Sequence, residues 1–458
     1  MKIMNIAVIL AGGTGSRLGY SIPKQFYKVA GKMVIEHTIE VFETDPLIDE
    51  IAVVIHESWM SQMEEIVLRH SWKKVKKLLK GGDERYLSSL SAIRAYEQFP
   101  DCNLIFHDAV RPLISHQIIK DVVHALQNYR AVDVAVPATD TIIEVDAQGE
   151  IITNIPNRKF LRRGQTPQGF KLEVIKKAYE IGLQDPNFVS SDDCGTVIKY
   201  LPEEKVYVVP GAESNMKLTY KEDSYLLDKL FQLRSASLHE SVDFNALQGK
   251  TLVVFGGNSG IGAEIVKTAR QFGADVFSYS RSTTHTDIAN REDVKTALDE
   301  VYAKTHRIDF VVNSAAILSK EPLATMEPET IDTLIRTNYN GMVNVAVAAY
   351  PYLKESKGQL LLYTSSSYTR GRAFYSLYSS TKAAAVNFMQ ALAQEWDGDG
   401  IRVNVINPER TKTPMRVQNF GVEPDNTLLT AQEVADASVK TLLSDFTGQV
   451  IDVKIKRS

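Results

Sequence analysis

Two glycine-rich loops, each directly after a short run of β-forming residues, constrain the fold of this chain more than any other feature. The first follows NIAVIL (5–10) and reads AGGTGSR (11–17); the second follows TLVVF (251–255) and reads GGNSGIG (256–262). A glycine-rich turn between a strand and a helix exposes backbone N–H groups that can bind phosphate oxygens. Because 458 residues are too many for one ordinary core, we expect two α/β domains, each built around one loop.

The composition and net charge indicate which kinds of binding partner this chain favours. The chain is 44% hydrophobic and 24% charged with a net charge of −4, which is typical of a soluble protein and favours neither nucleic acid nor an anionic membrane. No apolar run is long enough to span a bilayer, and the N-terminus leads into a strand rather than a signal-peptide cleavage site. The two cysteines, Cys102 and Cys194, have no metal-ligand spacing. We therefore expect a cytoplasmic protein that acts on small molecules.

Both halves alternate β-rich runs with longer amphipathic segments, as parallel α/β folds do. In the first half, strands are expected at 5–10, 50–56, 103–108 and 133–139, with helices at 34–42 and 88–99. In the second half, strands are expected at 251–257, 274–280, 309–315, 358–366, 401–408 and 449–455.

One stretch of the first half departs from this alternation. In 141–156, β-branched residues flank a polar turn at Gln148-Gly149, which predicts a hairpin arm. Apolar periodicity fades after residue 233 and resumes with a strand after Lys250. We therefore expect a first domain over 1–233, a linker over 234–248 and a second domain over 249–458.

The first loop is followed by two cations, Arg17 and Lys24. Cations beside a phosphate-binding loop suit the charge that develops at a phosphorus atom under attack. Without that loop, Lys24 would be read as a solvated surface lysine, so the inference depends on the pair and the loop together.

Seven motifs in order carry a resemblance over roughly residues 3–230. They are LAGGTGSRLG with PKQF, GGDER with Ser88, HDAVRP (107–112), DTI (140–142), GQTPQGF (164–170), SDDC (191–194) and NMKLT (215–219). This half resembles the cytidylyltransferase family that includes methylerythritol-phosphate cytidylyltransferase. The resemblance implies that an alkyl phosphate attacks the α-phosphorus of CTP and that pyrophosphate leaves, with Mg²⁺ on the triphosphate.

The same resemblance implies roles by position. The resemblance implies that the transition state at the α-phosphate is stabilised by Arg17, Lys24 and Lys217. The CTP-binding positions are Ala11, Gly12, Gly13, Thr14, Gly15, Gly82, Asp83, Ser88 and Asp108, of which Asp108 also faces the metal. The sugar phosphate falls to Arg111, Thr141, Arg158 and Thr166, some of them reaching a partner subunit through the arm. Asp192 and Asp193 either cap a helix or belong to the site, and His107 is expected to be packed rather than catalytic.

The second loop opens a helix whose N-terminus suits a dinucleotide pyrophosphate. About twenty residues on, where an NAD-binding domain usually has an acidic residue, this chain reads YSRS (279–282). The guanidinium of Arg281 would pair with a 2′-phosphate, which predicts NADPH; a surface-loop arginine is the alternative.

Tyr378 and Lys382 lie four residues apart on a predicted helix, and therefore on one face. A lysine ammonium near the phenol would lower the phenol's pKa and make it a proton donor to a carbonyl oxygen. Ser365, at the end of a strand, could orient the same carbonyl, and Asn338 completes the set.

These residues, together with NSAA (313–316) and NPERTKTPM (407–415), resemble the short-chain dehydrogenase/reductase family over about 250–456. Two departures stand out: NSAA replaces an NNAG-like loop, and Glu409 replaces the usual glycine after Pro408. The resemblance implies NADPH binding by Gly256, Asn258, Ser259, Gly260, Ile261, Arg281, Asp287, Asn313, Ala315, Tyr378, Lys382 and Thr413.

The two chemistries fit in series, because a reductase makes an alcohol from a carbonyl and a cytidylyltransferase couples a phosphorylated alcohol to CTP. The fold implied is α/β with two doubly wound domains: an N-terminal nucleotidyltransferase Rossmann-like domain with a hairpin arm and a C-terminal NAD(P)-binding Rossmann short-chain reductase domain. The fusion resembles the family of bifunctional ribulose 5-phosphate reductase/CDP-ribitol pyrophosphorylases. That resemblance implies ribulose 5-phosphate, ribitol 5-phosphate and CTP as substrates, capsule or teichoic-type polymers as destination, and a homodimer.

Three points stay open at this stage. The residues considered for the phosphate of the reductase substrate are Arg370, Arg372, Arg410 and Lys412, with a solvated loop as the alternative. A methylerythritol-phosphate cytidylyltransferase fused to a reductase of unrelated substrate is the competing enzyme. A chain in which one half is a non-catalytic dimerisation module is the competitor from another class.

Overall fold

A computed structural model describes residues 3–13, 22–82, 84–190, 192–235 and 242–455. The chain divides into two compact units, Met1–Leu227 and Asp228–Ser458. The division falls within the helix Lys221–Ser235, whereas the sequence pattern placed the end of the first domain at residue 233. Within the described ranges, no helix is long and apolar enough to cross a membrane.

The first unit is built on a mixed sheet. Its strands are β1 Met4–Ala11, β2 Lys28–Val29, β3 Lys32–Met33, β4 Glu50–Ile55, β5 Val75–Lys80, β6 Cys102–Asp108, β7 Ala131–Pro137, β8 Glu144–Val145, β9 Ile152–Asn154, β10 Arg162–Gly164, β11 Gln168–Lys171 and β12 Val206–Pro210. Its helices are α1 Val34–Thr44, α2 Met60–His70, α3 Arg85–Tyr96, α4 His116–Ala125, α5 Leu172–Gly182, α6 Asp193–Tyr200 and α7 Lys221–Ser235, the last shared with the second unit.

Eight of these strands form the main sheet, in the order β10-β7-β11-β6-β1-β4-β5, with β12 also paired to β7. The centre is parallel, since β1 pairs in parallel with β4 and β6, but β10 and β11 run antiparallel to their neighbours. Helices α1, α2 and α4 bury their apolar sides on one face, and α3, α5 and α6 on the other. The parallel pattern expected from the sequence therefore holds for the centre, and short antiparallel returns extend it.

The predicted hairpin arm is present. Strands β8 and β9 pair antiparallel, and Gly149 takes φ +77° in the turn between them, a conformation that favours glycine. Both strands are exposed along their length. The arm is thus held by its own hairpin bonds rather than by a core.

The second unit is a parallel sheet with helices on both faces. Its strands are β13 Thr251–Phe255, β14 Asp275–Tyr279, β15 Phe310–Asn313, β16 Gln359–Tyr363, β17 Arg402–Pro408 and β18 Val450–Val453. Its helices are α8 Gly260–Gln271, α9 Arg291–Thr305, α10 Pro328–Ile335, α11 Gly341–Ser356, α12 Ser376–Glu395, α13 Pro414–Phe420 and α14 Ala431–Leu442.

The sheet order is β14-β13-β15-β16-β17-β18, and every pairing is parallel. The chain direction across the sheet reverses between β13 and β15, so the carboxyl end of β13 is a topological switch point, where ligands bind in such sheets. Each strand expected in this half is present, within three residues at its ends.

The tail of α7 is part of the core of the second unit. The Gln232 amide donates to Asp452 Oδ1 at 2.7 Å and hydrogen-bonds the Tyr368 hydroxyl, and Asn407 Nδ2 donates to the same Asp452 oxygen. Gln232 and Asp452 are both buried. One helical residue thereby links the turn that follows β16 with strands β17 and β18.

Candidate functional sites

The first glycine-rich loop borders a cavity of about 190 Å³ in the first unit. Four of the seven motifs identified in the sequence contribute to its wall. The lining residues are Leu10, Ala11, Gly12, Gly13, Lys24, Gln25, Gly82, Glu84, Arg85, Ser88, Asp108, Val110 and Lys217. The expected CTP-binding and catalytic positions Thr14, Gly15, Arg17 and Asp83 lie outside the described residues.

Gln25 explains how Lys24 comes to this cavity. The buried Gln25 amide donates from Nε2 to the carbonyl oxygen of Ala11 at 2.8 Å and to that of Gly13 at 3.3 Å. The turn Lys24–Phe26 is thereby tied to the glycine loop. A Cβ at Gly12 would lie 2.9 Å from Ser88 Oγ, so this loop position is reserved for glycine.

Asp108, at the end of β6, forms ion pairs with two cationic side chains of the site. Its Oδ2 lies 3.0 Å from Lys217 Nζ and 3.2 Å from Arg111 Nε. Burial raises the pKa of Asp108, but the charges of Lys217 and Arg111 outweigh burial and hold it well below its usual value. The carboxylate is therefore ionised at every physiological pH, and it positions Lys217 at the cavity.

His107 and Thr166 form a buried hydrogen-bonded pair that holds the backbone of Asp108. The Thr166 hydroxyl accepts from the Asp108 backbone N–H at 3.1 Å and bonds His107 Nδ1 at 3.0 Å, while His107 Nε2 lies 3.1 Å from the Arg111 carbonyl oxygen. Burial lowers the pKa of His107 to about 4, so its imidazole is neutral. His107 is packed and hydrogen-bonded, as the sequence reading favoured.

The sequence left open whether Asp192 and Asp193 cap a helix or belong to the site, and the structure gives the two residues different contacts. Asp192 is the N-cap of α6, where its Oδ1 accepts from the Gly195 N–H at 2.7 Å. The fully buried Asp193 pairs with Arg85, NH1 to Oδ2 at 2.7 Å, and accepts from the Tyr179 hydroxyl at 2.7 Å.

Arg85 is the cavity residue that sequence reasoning missed. It lies inside the GGDER motif and lines the cavity, yet the residue that orients it, Asp193, is 108 positions away. The only local signal was the motif itself, because the partnership depends on how α3 and α6 pack. Its guanidinium adds a third positive charge near Asp108, besides Lys217 and Arg111.

None of the four expected sugar-phosphate residues lines this cavity. Thr141 is exposed next to the arm, and the exposed Arg158 donates from NH1 to the Thr139 carbonyl oxygen at 2.8 Å. Arg111 and Thr166 adjoin Asp108 instead.

The side chains available as metal ligands indicate what kind of metal ion this site can bind. Across the described ranges, no three His, Cys, Asp or Glu side chains form a metal-binding group. Asp108 is a single carboxylate whose Oδ2 already faces Lys217 and Arg111. Such a set fits a magnesium ion held mainly by nucleotide phosphates with one carboxylate, and it does not fit a resident metal centre.

The second unit contains a cavity of about 790 Å³ at the switch point. Its wall includes the expected cofactor positions Gly256, Asn258, Ser259, Gly260, Ile261, Arg281, Asp287, Ala315, Tyr378, Lys382 and Thr413, together with Ser365. The sequence-predicted residues from distant parts of this half therefore converge. Asn313 and Asn338 are buried beside it and do not line it.

The glycine positions show that the cradle fits a dinucleotide. Gly256 takes φ +85°, and a Cβ there would lie 2.7 Å from the Ala315 nitrogen. A Cβ at Gly262 would lie 2.3 Å from the Gly256 carbonyl oxygen. These contacts pack the first turn of α8 against β13, which leaves the helix N-terminus open to a pyrophosphate.

Arg281 lies just after β14, at the end of the cavity where the adenosine of a dinucleotide would bind. The adjacent loops are joined by a bond of 2.6 Å from Asn258 Nδ2 to Ser282 Oγ. Asp287 faces the same cavity, and its Oδ1 accepts from the Ala289 N–H at 2.9 Å. An exposed guanidinium beside two hydroxyl-bearing loops suits a phosphate group.

Tyr378, Ser365 and Lys382 form the polar centre of this cavity. The Ser365 hydroxyl hydrogen-bonds Tyr378, and Lys382 Nζ donates to the Tyr363 carbonyl oxygen at 3.0 Å and lies 5.5 Å from the centre of the Tyr378 ring. Burial raises the pKa of Tyr378 to about 12, and burial lowers the pKa of Lys382 to about 8.

The expectation that Lys382 lowers the pKa of the Tyr378 phenol is therefore wrong for the protein alone. Both side chains are taken out of water, and desolvation favours the neutral form of each. The influences that do lower the Tyr378 pKa are its hydrogen bond with Ser365 and the charge of Arg416.

Asn338 lies in a π-helical turn, Arg336–Asn340, between α10 and α11. Its side chain accepts from the Ile317 N–H at 2.9 Å and donates to the Ile317 carbonyl oxygen at 2.8 Å. Asn338 thus acts on the cavity by fixing the loop after β15. The buried Asn313 Oδ1 has no hydrogen-bond partner within the described residues, as expected of a polar atom that awaits a ligand.

Glu409, which departs from the family pattern, hydrogen-bonds the backbone of the segment that contains and follows β18. Its Oε2 accepts from the Ile455 N–H at 2.9 Å, and its own N–H donates to the Val453 carbonyl oxygen at 2.9 Å. The carboxylate also lines the cavity, so this substitution gives the wall a charge that glycine would not.

Comparison with known proteins assigns both halves. Residues 5–232 match the family described as 2-C-methyl-D-erythritol 4-phosphate cytidylyltransferase, and residues 250–421 match the short chain dehydrogenase family. A 2-C-methyl-D-erythritol 4-phosphate cytidylyltransferase of Thermobifida fusca is 42% identical over 49% of this chain and 92% of its own length. A ribitol-5-phosphate cytidylyltransferase of Streptococcus pneumoniae is 36% identical over 48% of this chain and 95% of its own.

One relative spans both halves. A bifunctional ribulose 5-phosphate reductase/CDP-ribitol pyrophosphorylase of Haemophilus influenzae is 48% identical over 99% of this chain and 97% of its own length. The chain therefore carries a cytidylyltransferase domain and a short-chain dehydrogenase domain, and the latter supports a nicotinamide cofactor. With two sites and a relative that matches across both, this chain belongs to the family of bifunctional ribulose 5-phosphate reductase/CDP-ribitol pyrophosphorylases.

Proposed function

We propose that this protein reduces ribulose 5-phosphate to ribitol 5-phosphate with NADPH and couples the product to CTP, giving CDP-ribitol and pyrophosphate. CDP-ribitol would supply ribitol phosphate for capsule or teichoic-type polymers. The observation that carries the proposal is that one chain holds both a Tyr378–Ser365–Lys382 centre and a phosphate-loop cavity with Lys24, Lys217 and Asp108. The relative that matches over the whole chain supports the order of the two reactions.

In the reductase site, the residues hold and protonate the substrate carbonyl. The hydroxyls of Ser365 and Tyr378 share a hydrogen bond, so both face the position where a carbonyl oxygen would be held. Tyr378 stays protonated at neutral pH and can donate its proton to the oxygen as reduction proceeds. The reduced cofactor, when bound, supplies the hydride; Lys382 would hold its nicotinamide end and the N-terminus of α8 its pyrophosphate.

In the cytidylyltransferase site, the residues position and neutralise phosphate. Backbone N–H groups of the glycine loop and the cations Lys24 and Lys217 face the cavity where the triphosphate would lie. They would stabilise the charge that builds on the α-phosphate as the ribitol phosphate oxygen attacks and pyrophosphate leaves. Asp108 would hold the magnesium ion that shields the triphosphate.

The test is a mass-spectrometric assay of the purified protein with ribulose 5-phosphate, NADPH, CTP and Mg²⁺, each omitted in turn. We expect CDP-pentitol only with the complete mixture and pentitol phosphate when CTP alone is omitted. Consumption of CTP with methylerythritol phosphate while NADPH stays unused would favour the competing enzyme instead. That competitor has the support of the Thermobifida fusca relative, but only over the first half of the chain.

Arg281→Ala should shift the cofactor preference. Loss of a charge-assisted contact to the 2′-phosphate should raise the KM for NADPH about 10- to 100-fold and leave the KM for NADH within about twofold. Steady-state kinetics with both cofactors measures this ratio, with Arg291→Ala, an exposed arginine of α9, as the matched control. Equal losses with NADPH and NADH would contradict a 2′-phosphate role.

We also propose a homodimer formed through the hairpin arm. The support is that apolar side chains of the arm and its flanks are exposed, including Ile143, Ile151, Ile152 and Phe160. Exposed apolar groups concentrated on one element commonly mark an interface. Sedimentation velocity of the purified protein should give about twice the chain mass of 51.1 kDa, and a single-chain mass would exclude the dimer.

A further inference from the structure

We infer that the phosphate of the reductase substrate is bound by Arg372 and Arg416, assisted by Arg410, on one wall of the reductase cavity. The inference rests on the proposed function, because it names the site for a phosphate that the proposed substrate carries. It also selects among the cations considered from the sequence and adds one that the sequence did not reveal.

The cationic side chains that line the cavity lie in different parts of it. Arg281 follows β14 at the adenosine end, and Lys382 is buried beneath the Tyr378 ring with its ammonium on the Tyr363 carbonyl. The remaining arginines that line the cavity, within the described residues, are Arg372, Arg410 and Arg416. They enter the cavity from the segments before and after the catalytic helix α12.

Arg372 is tethered beside the catalytic tyrosine. Its backbone N–H donates to Ser379 Oγ at 3.4 Å, and Ser379 directly follows Tyr378 in α12. By contrast, Arg370 does not line the cavity, and Lys412 is turned to Asp425 with an ion pair of 2.7 Å. The structure thus separates two pairs of basic residues that the sequence could not distinguish.

Arg416 is pre-oriented from two sides. Its Nε and NH2 bond the two oxygens of Glu423 at 2.6 Å and 2.9 Å, and its guanidinium stacks 4.6 Å from the centre of the Phe420 ring. Its charge reaches the Tyr378 phenol and lowers that group's pKa against the larger effect of burial. Arg416 and Tyr378 line the same cavity, so a sugar phosphate whose carbonyl is held by Tyr378 would present its phosphate to this wall.

The charge balance of this wall favours an anion. Arg410 NH1 lies 3.8 Å from Glu423 Oε1, so one carboxylate is shared between two arginines. The Glu409 carboxylate also lines the cavity, but one of its oxygens accepts the Ile455 N–H. Three guanidinium groups against two carboxylates leave positive charge, and planar guanidinium forks match phosphate oxygens.

The test compares ribulose 5-phosphate with unphosphorylated ribulose as substrates of the full-length protein. Arg372→Gln and Arg416→Gln should each raise the KM for ribulose 5-phosphate about 10- to 100-fold and change kcat/KM for ribulose by less than about threefold. Arg370→Gln, two positions from Arg372 and outside the cavity, is the matched control and should change neither. Equal losses on both substrates, or no loss on either, would overturn the assignment.

A binding measurement separates this inference from the proposed function. Inorganic phosphate, added to the protein saturated with NADPH, should raise the melting temperature of the wild type by more than that of Arg372→Gln. A wild type that reduces neither ketose but shows this difference would refute the proposed substrate and keep the phosphate site. Equal phosphate effects in the two proteins would refute the site whatever the activity.

Discussion

Replacing Tyr378 with phenylalanine should lower the rate of NADPH-dependent reduction of ribulose 5-phosphate by about 10²- to 10⁴-fold, the usual contribution of a positioned general acid. In the proposed reaction the phenol is the proton donor beside Ser365, and its raised pKa keeps the proton available. Release of pyrophosphate from CTP and supplied ribitol 5-phosphate should be unchanged. Both rates can be followed on one preparation, by NADPH absorbance and by a coupled pyrophosphate assay.

Tyr375→Phe is the comparison that makes this result specific. Tyr375 lines the same cavity, with its ring 6.4 Å from that of Tyr378, but it lies at i−3 rather than opposite Lys382. We expect it to keep at least about a tenth of the reductase rate, since it is not placed to donate the proton. If Tyr375→Phe were the inactive variant and Tyr378→Phe the active one, the acid would have to be reassigned.

Lys24→Ala should show the opposite selectivity. Removing a cation that lines the cavity and that we propose acts at the α-phosphate should reduce cytidylyl transfer by about 10²- to 10³-fold, comparable to loss of one stabilising donor in a preorganised site. NADPH oxidation with ribulose 5-phosphate should stay within about twofold of wild type. Pentitol phosphate should therefore accumulate in the complete mixture, which mass spectrometry detects directly.

Lys120→Ala, on the exposed side of α4, controls for loss of a positive charge in the same unit. Circular dichroism and melting temperature of each variant exclude loss of fold as the cause. A Lys24→Ala protein that is folded yet silent in both reactions would show that the two sites are not independent, against the proposal.

Local patterns in the sequence predicted the strands, the arm and both glycine loops because each depends on neighbouring residues. Alternating or continuous apolar runs mark β1, β6 and β13, and the glycines stand at the turn directly between β13 and α8. The convergence of Ser365, Tyr378 and Lys382 was predicted through family resemblance, since their spacing alone is common by chance.

What the sequence could not predict depends on long-range packing. Arg85 reaches the first cavity because Asp193 orients it across the fold, and Arg416 reaches the second because Glu423 and Phe420 fix a segment without a local signature. The pKa of Tyr378 was predicted in the wrong direction for the same reason. A pair of residues in sequence reveals the nearby charge, whereas the cost of burial depends on the whole cavity wall.

The position of Gln232 bears on how the two activities can be dissected. A reductase fragment begun at residue 249, where the sequence pattern restarts, would remove the amide that bonds both Tyr368 and Asp452. Each buried polar group left short of a partner costs about 1–3 kcal/mol, a large part of the margin by which a domain stays folded. Fragments cut upstream of Asp228 should express well, while those cut at 249 should melt early or aggregate. The last turns of α7, although they precede the point where the sequence pattern restarts, are therefore a structural component of the reductase unit.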